Sequence, residues 1–154
     1  MQVDIEQKPA QRVATVRHIG PYNRINDAFE KLGALAGQAG LFHLAGAEMI
    51  ALYYDDPEST PVEELRSDAG IAVPDDAALP PTLGDQRIAA GRYACTVYVG
   101  PYELLGDAWA RFMGEWLPAS GERVGDGASY EKYLNDPRTT PKAELRTEMC
   151  MPLA

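Results

Sequence analysis

The sequence predicts an α+β fold: a tandem strand–helix–strand–strand duplication, forming a mostly antiparallel sheet with two helices on one face and a central groove. Three observations lead there. Shifting the chain by 80 residues lays Arg12–Val73 over Arg92–Leu153 without a gap and with 16 identities in 62 positions. Each half opens with period-two alternation and continues, after Gly-Pro-Tyr, with apolar residues at helical spacing. Finally, 154 residues of which 45% are hydrophobic suffice for one domain with a closed core, residues 1–154, built from the two repeats and a Pro-rich connector over 74–88.

The elements follow in order along each repeat. Gln11–Ile19 alternates, with Val13, Thr15 and Ile19 on one side, and its counterpart carries Tyr93, Cys95, Val97 and Val99 there. Gly20-Pro21 and Gly100-Pro101 then break the strand and restart the chain as a helix, because proline loses no hydrogen bond near a first helical turn. The helical stripes are Ile25, Phe29, Leu32 and Ala36 in one copy and Leu105, Trp109, Phe112 and Trp116 in the other. Leu117-Pro118 is expected to end the second helix. Next come short β-prone runs, Met49–Tyr54 and Ser129–Leu134, then Asp-Pro-x-x-Thr-Pro turns, then a last strand. On those last strands Arg66 and Asp68, like Arg146 and Glu148, alternate as an exposed charged face would. The halves are each too small for a good core, so they are expected to share one, with the groove where they meet.

Composition narrows the function. Lys and Arg number 14 against 23 Asp and Glu, a net charge of −9, which is the wrong sign for tracking phosphates and argues against direct nucleic-acid binding. The same field attracts a cationic ligand or a protein that grips DNA. Cys95 and Cys150 form no close pair in the sequence, and His18 and His43 are scattered, so neither a disulfide framework, a metal site nor a cofactor is expected. No apolar run approaches the roughly 18 residues of a membrane span, and the start lacks a secretory signal, which predicts a cytoplasmic protein with no membrane partner. With about ten residues ahead of the first predicted strand, no DNA-recognition helix is expected before the repeat.

Five segments, in order and spacing, resemble the GyrI-like family of small-molecule-binding domains, which occur alone or behind the DNA-binding helices of AraC-type and MerR-type regulators. They are Ile19-Gly-Pro-Tyr22, Ala51-Leu-Tyr-Tyr-Asp-Asp-Pro57, Gly91-Arg-Tyr-Ala94, Tyr130-Glu-Lys-Tyr-Leu-Asn-Asp-Pro137 and Glu148-Met-Cys-Met-Pro-Leu153. The resemblance implies the SHS2-type tandem fold and an aromatic groove around one buried glutamate. Glu131, in Tyr130-Glu-Lys-Tyr133, matches that glutamate, and Trp109 sits where many members carry a helix aromatic. Tyr133, Tyr102, Tyr22, Trp116 and Tyr93 complete the expected ligand-binding set. Lys132 departs from the family's usual aliphatic residue and would neutralise Glu131 if it folded over the groove.

The implied chemistry has three outlets. A carboxylate desolvated among aromatic rings is relieved by a cation or a hydrogen-bond donor, which suits hydrophobic, often cationic toxic compounds. The same glutamate, as a catalytic acid–base, would serve the family's hydrolases, which open the cyclopropane of DNA-alkylating natural products. The third outlet is the activity for which the family is named, inhibition of DNA gyrase through protein contact. Simpler readings stand beside these: Glu131 as a solvated strand residue, Trp109 and Trp116 as core, Tyr22 and Tyr102 as staples at a helix start, and Cys95 as a small core residue.

Overall fold

The computed structural model describes residues 1–154, whose strands are β1 (Asp4–Lys8), β2 (Gln11–Ile19), β3 (Met49–Tyr53), β4 (Arg66–Val73), β5 (Gly84–Ile88), β6 (Gly91–Val99), β7 (Ser129–Tyr133) and β8 (Arg146–Pro152). Helix α1 (Asn26–Gln38) follows β2; α2 (Leu105–Arg111), a π-helical turn over Phe112–Trp116 and α3 (Leu117–Ser120) follow β6 as one continuous helical segment. The fold is α+β and its strand pairs are antiparallel. The chain divides into two compact units, Pro9–Ala90 on the one hand and Met1–Lys8 with Gly91–Ala154 on the other.

In the unit Pro9–Ala90 the strand order is β3-β4-β2-β5. β2 forms where the alternation predicts it, and α1 packs on β2 and β4 through Ala28, Leu32 and Ala36, all buried. Leu32 and Leu41 are fully buried, as are Ala14, Ala51, Ala69 and Ile71, which alternation and register put on one face of the sheet. The Asp-Pro-x-x-Thr-Pro turn behaves as its residues dictate: the Asp56 carboxylate accepts from the Glu58 N–H at 2.9 Å and the Asp56 carbonyl from the Thr60 N–H at 2.9 Å. In the other repeat Asp136 makes the same bond to the Arg138 N–H at 2.8 Å.

In the second unit the order is β1-β6-β8-β7. Phe112, fully buried, anchors a core with Leu105, Ala108, Ala94, Met149 and Met151, against which Trp109, Trp116, Tyr102 and Tyr133 pack. Removing a Phe of this size from water contributes about 2–3 kcal/mol.

Three expectations are corrected. Leu117-Pro118 does not stop the helix: Pro118 follows directly on the π turn, which the Leu117 N–H closes onto the Phe112 carbonyl, and Gly121 at φ 78° closes the segment. The 80-residue shift would put that left-handed cap at Ser120, the counterpart of Gly40, whose φ is 72°. The second helical segment therefore holds one residue more, and the π turn at Phe112–Trp116 accommodates it. Asp68 is not on an exposed charged face but 1% exposed, because β2 places Arg17 opposite it and β3 delivers Tyr54 beside it. Arg17 Nε donates to Asp68 at 2.6 Å and the Tyr54 hydroxyl donates at 2.6 Å, while the Arg17 guanidinium lies 5.0 Å from the Tyr54 ring centre. Burial, with the Asp68 hydrogen bond next, pushes the Tyr54 phenol up, so it remains a donor. The two cysteines, far apart in sequence, lie side by side at 3.3 Å between their sulfurs.

β1 and β5 had no clean alternation to announce them. They are polar edge strands, and β5 occupies part of the stretch read as connector.

Asp68→Ala leaves a half-exposed guanidinium without its carboxylate and a buried phenol without an acceptor, and is expected to lower stability by about 2–4 kcal/mol in urea unfolding. Substituting the corresponding Glu148, which is less deeply buried, should cost clearly less.

Candidate functional site

The second unit places a carboxylate inside its helix-facing layer. On β7 the alternation sends Glu131 and Tyr133 to one side and Tyr130 and Lys132 to the other, and register pairs Glu131 with Met149 and Tyr133 with Thr147 on β8. Glu131 is 3% exposed. Burial on that scale is tolerable only with hydrogen bonds, and two are present. Trp109 Nε1 on α2 donates to Oε1 at 2.7 Å, and the Tyr133 hydroxyl, two residues along the same strand, donates to Oε2 at 2.6 Å. Donors of this kind stabilise the charged form of a carboxyl against desolvation. Since the indole N–H can only donate, Trp109 fixes the acceptor role of Oε1.

Aromatic rings surround the pair. Trp109 stacks on Phe112 with centroids 5.6 Å apart, Phe112 meets Trp116 at 5.5 Å, and Tyr102 lies 5.3 Å from Tyr133. Burial, helped by the charges of Asp136 and Glu131, pushes the Tyr102 phenol up and keeps it protonated. Chemically this is a carboxylate in an aromatic wall, with a phenol at short range: a receptor for a cation or donor, and a pair able to share a proton.

Of the sequence-predicted residues, Glu131, Trp109, Tyr133, Tyr102 and Trp116 share this layer. Tyr93 does not. Tyr22 lies in the other unit, against Tyr53 at 4.8 Å, and its hydroxyl donates to the Asp55 carbonyl at 2.7 Å and accepts from the Asp55 N–H at 3.0 Å, pinning the helix start to the strand exit. Tyr93 is on the opposite face of its sheet, edge-on to Tyr130 at 5.6 Å. Lys132 is also on that opposite face, paired in register with Glu148, and therefore points away from Glu131.

Overlaying the repeats shows what is special to the second. Tyr22 and Tyr53 match Tyr102 and Tyr133, but Phe29 stands at the place of Trp109 and Ala51 at the place of Glu131. The aromatic pair belongs to the repeated motif; the acid and its indole belong to one copy. Thr147, which sequence reasoning did not single out, has a fully buried hydroxyl with no hydrogen-bond partner beside Tyr133. Ser67 repeats this in the unit that lacks the glutamate, so the orphan hydroxyl is a trait of the motif. A surface depression of about 390 Å³ lies on the face of the second unit opposite Glu131, lined by Asp4, Glu6, Cys95 and Glu148, and the first unit has one of about 290 Å³ beside Asp68.

The model of the GyrI-like small molecule binding domain matches residues 1–154. The chain belongs to this family. A DNA gyrase inhibitor of Yersinia enterocolitica is 38% identical over 143 residues, covering 90% of this chain and 89% of the relative. Among solved structures, the EcmrR C-terminal domain superposes with a TM-score of 0.77 at 22% identity, covering 99% of this chain and 97% of that one. The structure of SAV2435 bound to tetraphenylphosphonium superposes with a TM-score of 0.74 at 12% identity, covering 100% and 94%. These two share the fold of this GyrI-like domain. No helix in it is long and apolar enough to cross a membrane.

Trp109→Phe keeps a ring in the stripe but removes the donor to Oε1, and is expected to destabilise the fold by about 1–3 kcal/mol in thermal or urea unfolding. In the Glu131→Gln background the same substitution should cost markedly less, so the double-mutant cycle measures the indole–carboxylate coupling.

Proposed function

We propose that this GyrI-like domain binds planar or propeller-shaped hydrophobic cations against the Glu131 carboxylate, with Trp109, Tyr133, Tyr102 and Trp116 as the aromatic contacts. The observation that carries this reading is the position of Glu131, 3% exposed and held by one indole and one phenol within an aromatic layer. A positive charge approaching such a carboxylate in a low-dielectric setting gains more than it does in water, and ring faces add cation–π attraction of about 0.5–2 kcal/mol each. A hydrated metal ion lacks the apolar surface that these rings reward, and an anion meets a like charge. The family's small-molecule-binding description supports the reading, as does the net charge of −9.

Tetraphenylphosphonium, the cation held by one fold neighbour, is the first probe, and triphenylphosphine oxide is a neutral control with the same kind of rings. Titration should quench Trp109 fluorescence saturably. Glu131→Gln is expected to weaken the cation at least about tenfold, or about 1.4 kcal/mol, and to leave the neutral control nearly unchanged. Equal affinity of both proteins for the cation would reject Glu131 as its anchor.

A second reading draws on the gyrase-inhibitor names of relatives up to 38% identical to this chain. It has the domain contact DNA gyrase through its acidic surface. Purified gyrase should then be retained by the immobilised protein at low salt and released as ionic strength rises, with supercoiling activity reduced in parallel. Retention that ignores salt would point to an apolar contact instead.

A further inference from the structure

The face of β6 and β8 turned away from Glu131 carries the two cysteines of the chain. They are directly opposite each other in register, Cys95 against Cys150. The hydrogen-bond phase of the ladder places them further. The Leu153 N–H donates to the Arg92 carbonyl and the Gly100 N–H to the Leu145 carbonyl, so the even-numbered residues of β6 occupy hydrogen-bonded pairs. Cys95 and Cys150 therefore form a non-hydrogen-bonded pair, the kind in which Cα atoms approach to about 4.5 Å and side chains lie closest. That separation falls inside the roughly 4.4–6.8 Å range of disulfides.

The sulfurs are 3.3 Å apart, and both residues are buried, Cys95 at 3% and Cys150 at 0% exposed. Forming a bond of about 2.05 Å needs the sulfurs to close by roughly 1.3 Å, within reach of side-chain rotation on a fixed ladder. Cys95 also lines the depression of about 390 Å³ with Gln2, Asp4, Glu6 and Glu148, which gives a small oxidant a route to one of the two sulfurs. Its hydrogen bond with Cys150 and its burial push the Cys95 thiol up, while the Lys8 ammonium pulls the other way.

A thiophilic metal is the competing occupant, because the two sulfurs and a Glu148 oxygen lie within 4.8 Å of one another. Two features oppose it. Lys8 Nζ already holds both Glu148 oxygens, at 3.3 and 3.4 Å, and brings a positive charge to the spot a cation would take. Tetrahedral zinc, with Zn–S bonds of about 2.3 Å, would also need its sulfurs about 3.8 Å apart, further than they stand.

We propose that Cys95 and Cys150 are a cross-strand dithiol that closes to a reversible disulfide when a small peroxide enters from the Cys95 side. In the first step the Cys95 sulfur attacks a peroxide oxygen; the O–O bond breaks, the departing hydroxide takes the Cys95 thiol proton and leaves as water, and Cys95 becomes a sulfenic acid. In the second, the Cys150 sulfur attacks the Cys95 sulfur; the S–O bond breaks and the second water carries off the Cys150 proton. Two thiols and one hydrogen peroxide give one disulfide and two waters. The bond ties β6 to β8 across a loop that includes the whole α2–α3 segment and β7, and so raises resistance to unfolding.

The test uses the purified full-length protein, reduced and then freed of reductant, with hydrogen peroxide as the oxidant. Expected are an intact mass lower by two hydrogens, loss of both iodoacetamide-reactive thiols on denaturation, a proteolytic fragment joining Cys95 to Cys150, a raised Tm, and reversal of all four by dithiothreitol. Cys150→Ala should instead accumulate singly oxygenated protein, trapped as a sulfenic-acid adduct by dimedone; wild-type oxidation serves as evidence even if this variant fails to fold. The proposal is overturned if the wild type gains oxygen atoms without a bridge, if its thiols stay fully alkylatable, or if the protein purifies with stoichiometric zinc that blocks alkylation.

Discussion

A carboxylate taken out of water has to be given hydrogen bonds by something that folding itself brings near, and this condition ties together the parts of the second unit. Glu131 receives one from the indole of Trp109, on a helix that begins after Pro101 and meets β7 only in the folded state, and one from the phenol of Tyr133, which the pleat of its own strand brings to the same side. The indole can reach only if the helical stripe lies flat on β6 and β8, which in turn requires Phe112 and Leu105 to fill the space beneath. The π turn directly after α2 belongs to the same arrangement, since it lets Phe112 be fully buried between Trp109 and Trp116 while the helix carries one residue more than its counterpart. Site and core are one set of contacts, so a change that loosens the packing reaches the carboxylate as well.

Duplication explains why only one copy carries this chemistry. Both repeats keep the glycine and proline that start the helix, the tyrosine pair and the aspartate turn, which are requirements of the chain path. Relieved of the need to place a charge, the first copy has a buried Ala51 and a half-buried Phe29 at these places and puts its buried acid on another strand. Asp68 there is answered by a cation and a phenol, a self-contained ion pair, whereas Glu131 is answered by neutral donors. The first arrangement is an ion pair closed by a phenol; the second sets its carboxyl against an indole and a phenol within an aromatic layer.

Much of this was legible beforehand for a physical reason: a gapless repeat exposes the positions where chain geometry, rather than chemistry, decides the residue. β2, α1 and β6 fell where period and Gly-Pro placed them, and Glu131, Trp109, Tyr133, Tyr102 and Trp116 do converge. What escaped depends on pairing between distant segments. Nothing local says that Arg17 will face Asp68, that Tyr93 will turn to the other side of the sheet from Glu131, or that two cysteines 55 residues apart will meet. The helix end escaped because proline was read as a stop without regard to the π turn that precedes it. β1 and β5 escaped because an edge strand exposed along most of its length need not alternate.

The strand order also bears on how the protein comes off the ribosome. β1 is made first, yet its place is beside β6: Lys8 pairs with Gly91 and Asp4 with Cys95. At roughly 5–20 residues per second, the segment waits on the order of 4–18 s for its partner to be synthesised, and longer for it to clear the exit tunnel. A sticky strand left unpaired for that time would be a hazard. Asp4-Ile-Glu-Gln-Lys8 is instead charged at three of its five positions and exposed at nearly all of them even once docked. The segment that waits for a partner more than 80 residues further along the chain is thus one that water can hold until β6 is ready to receive it.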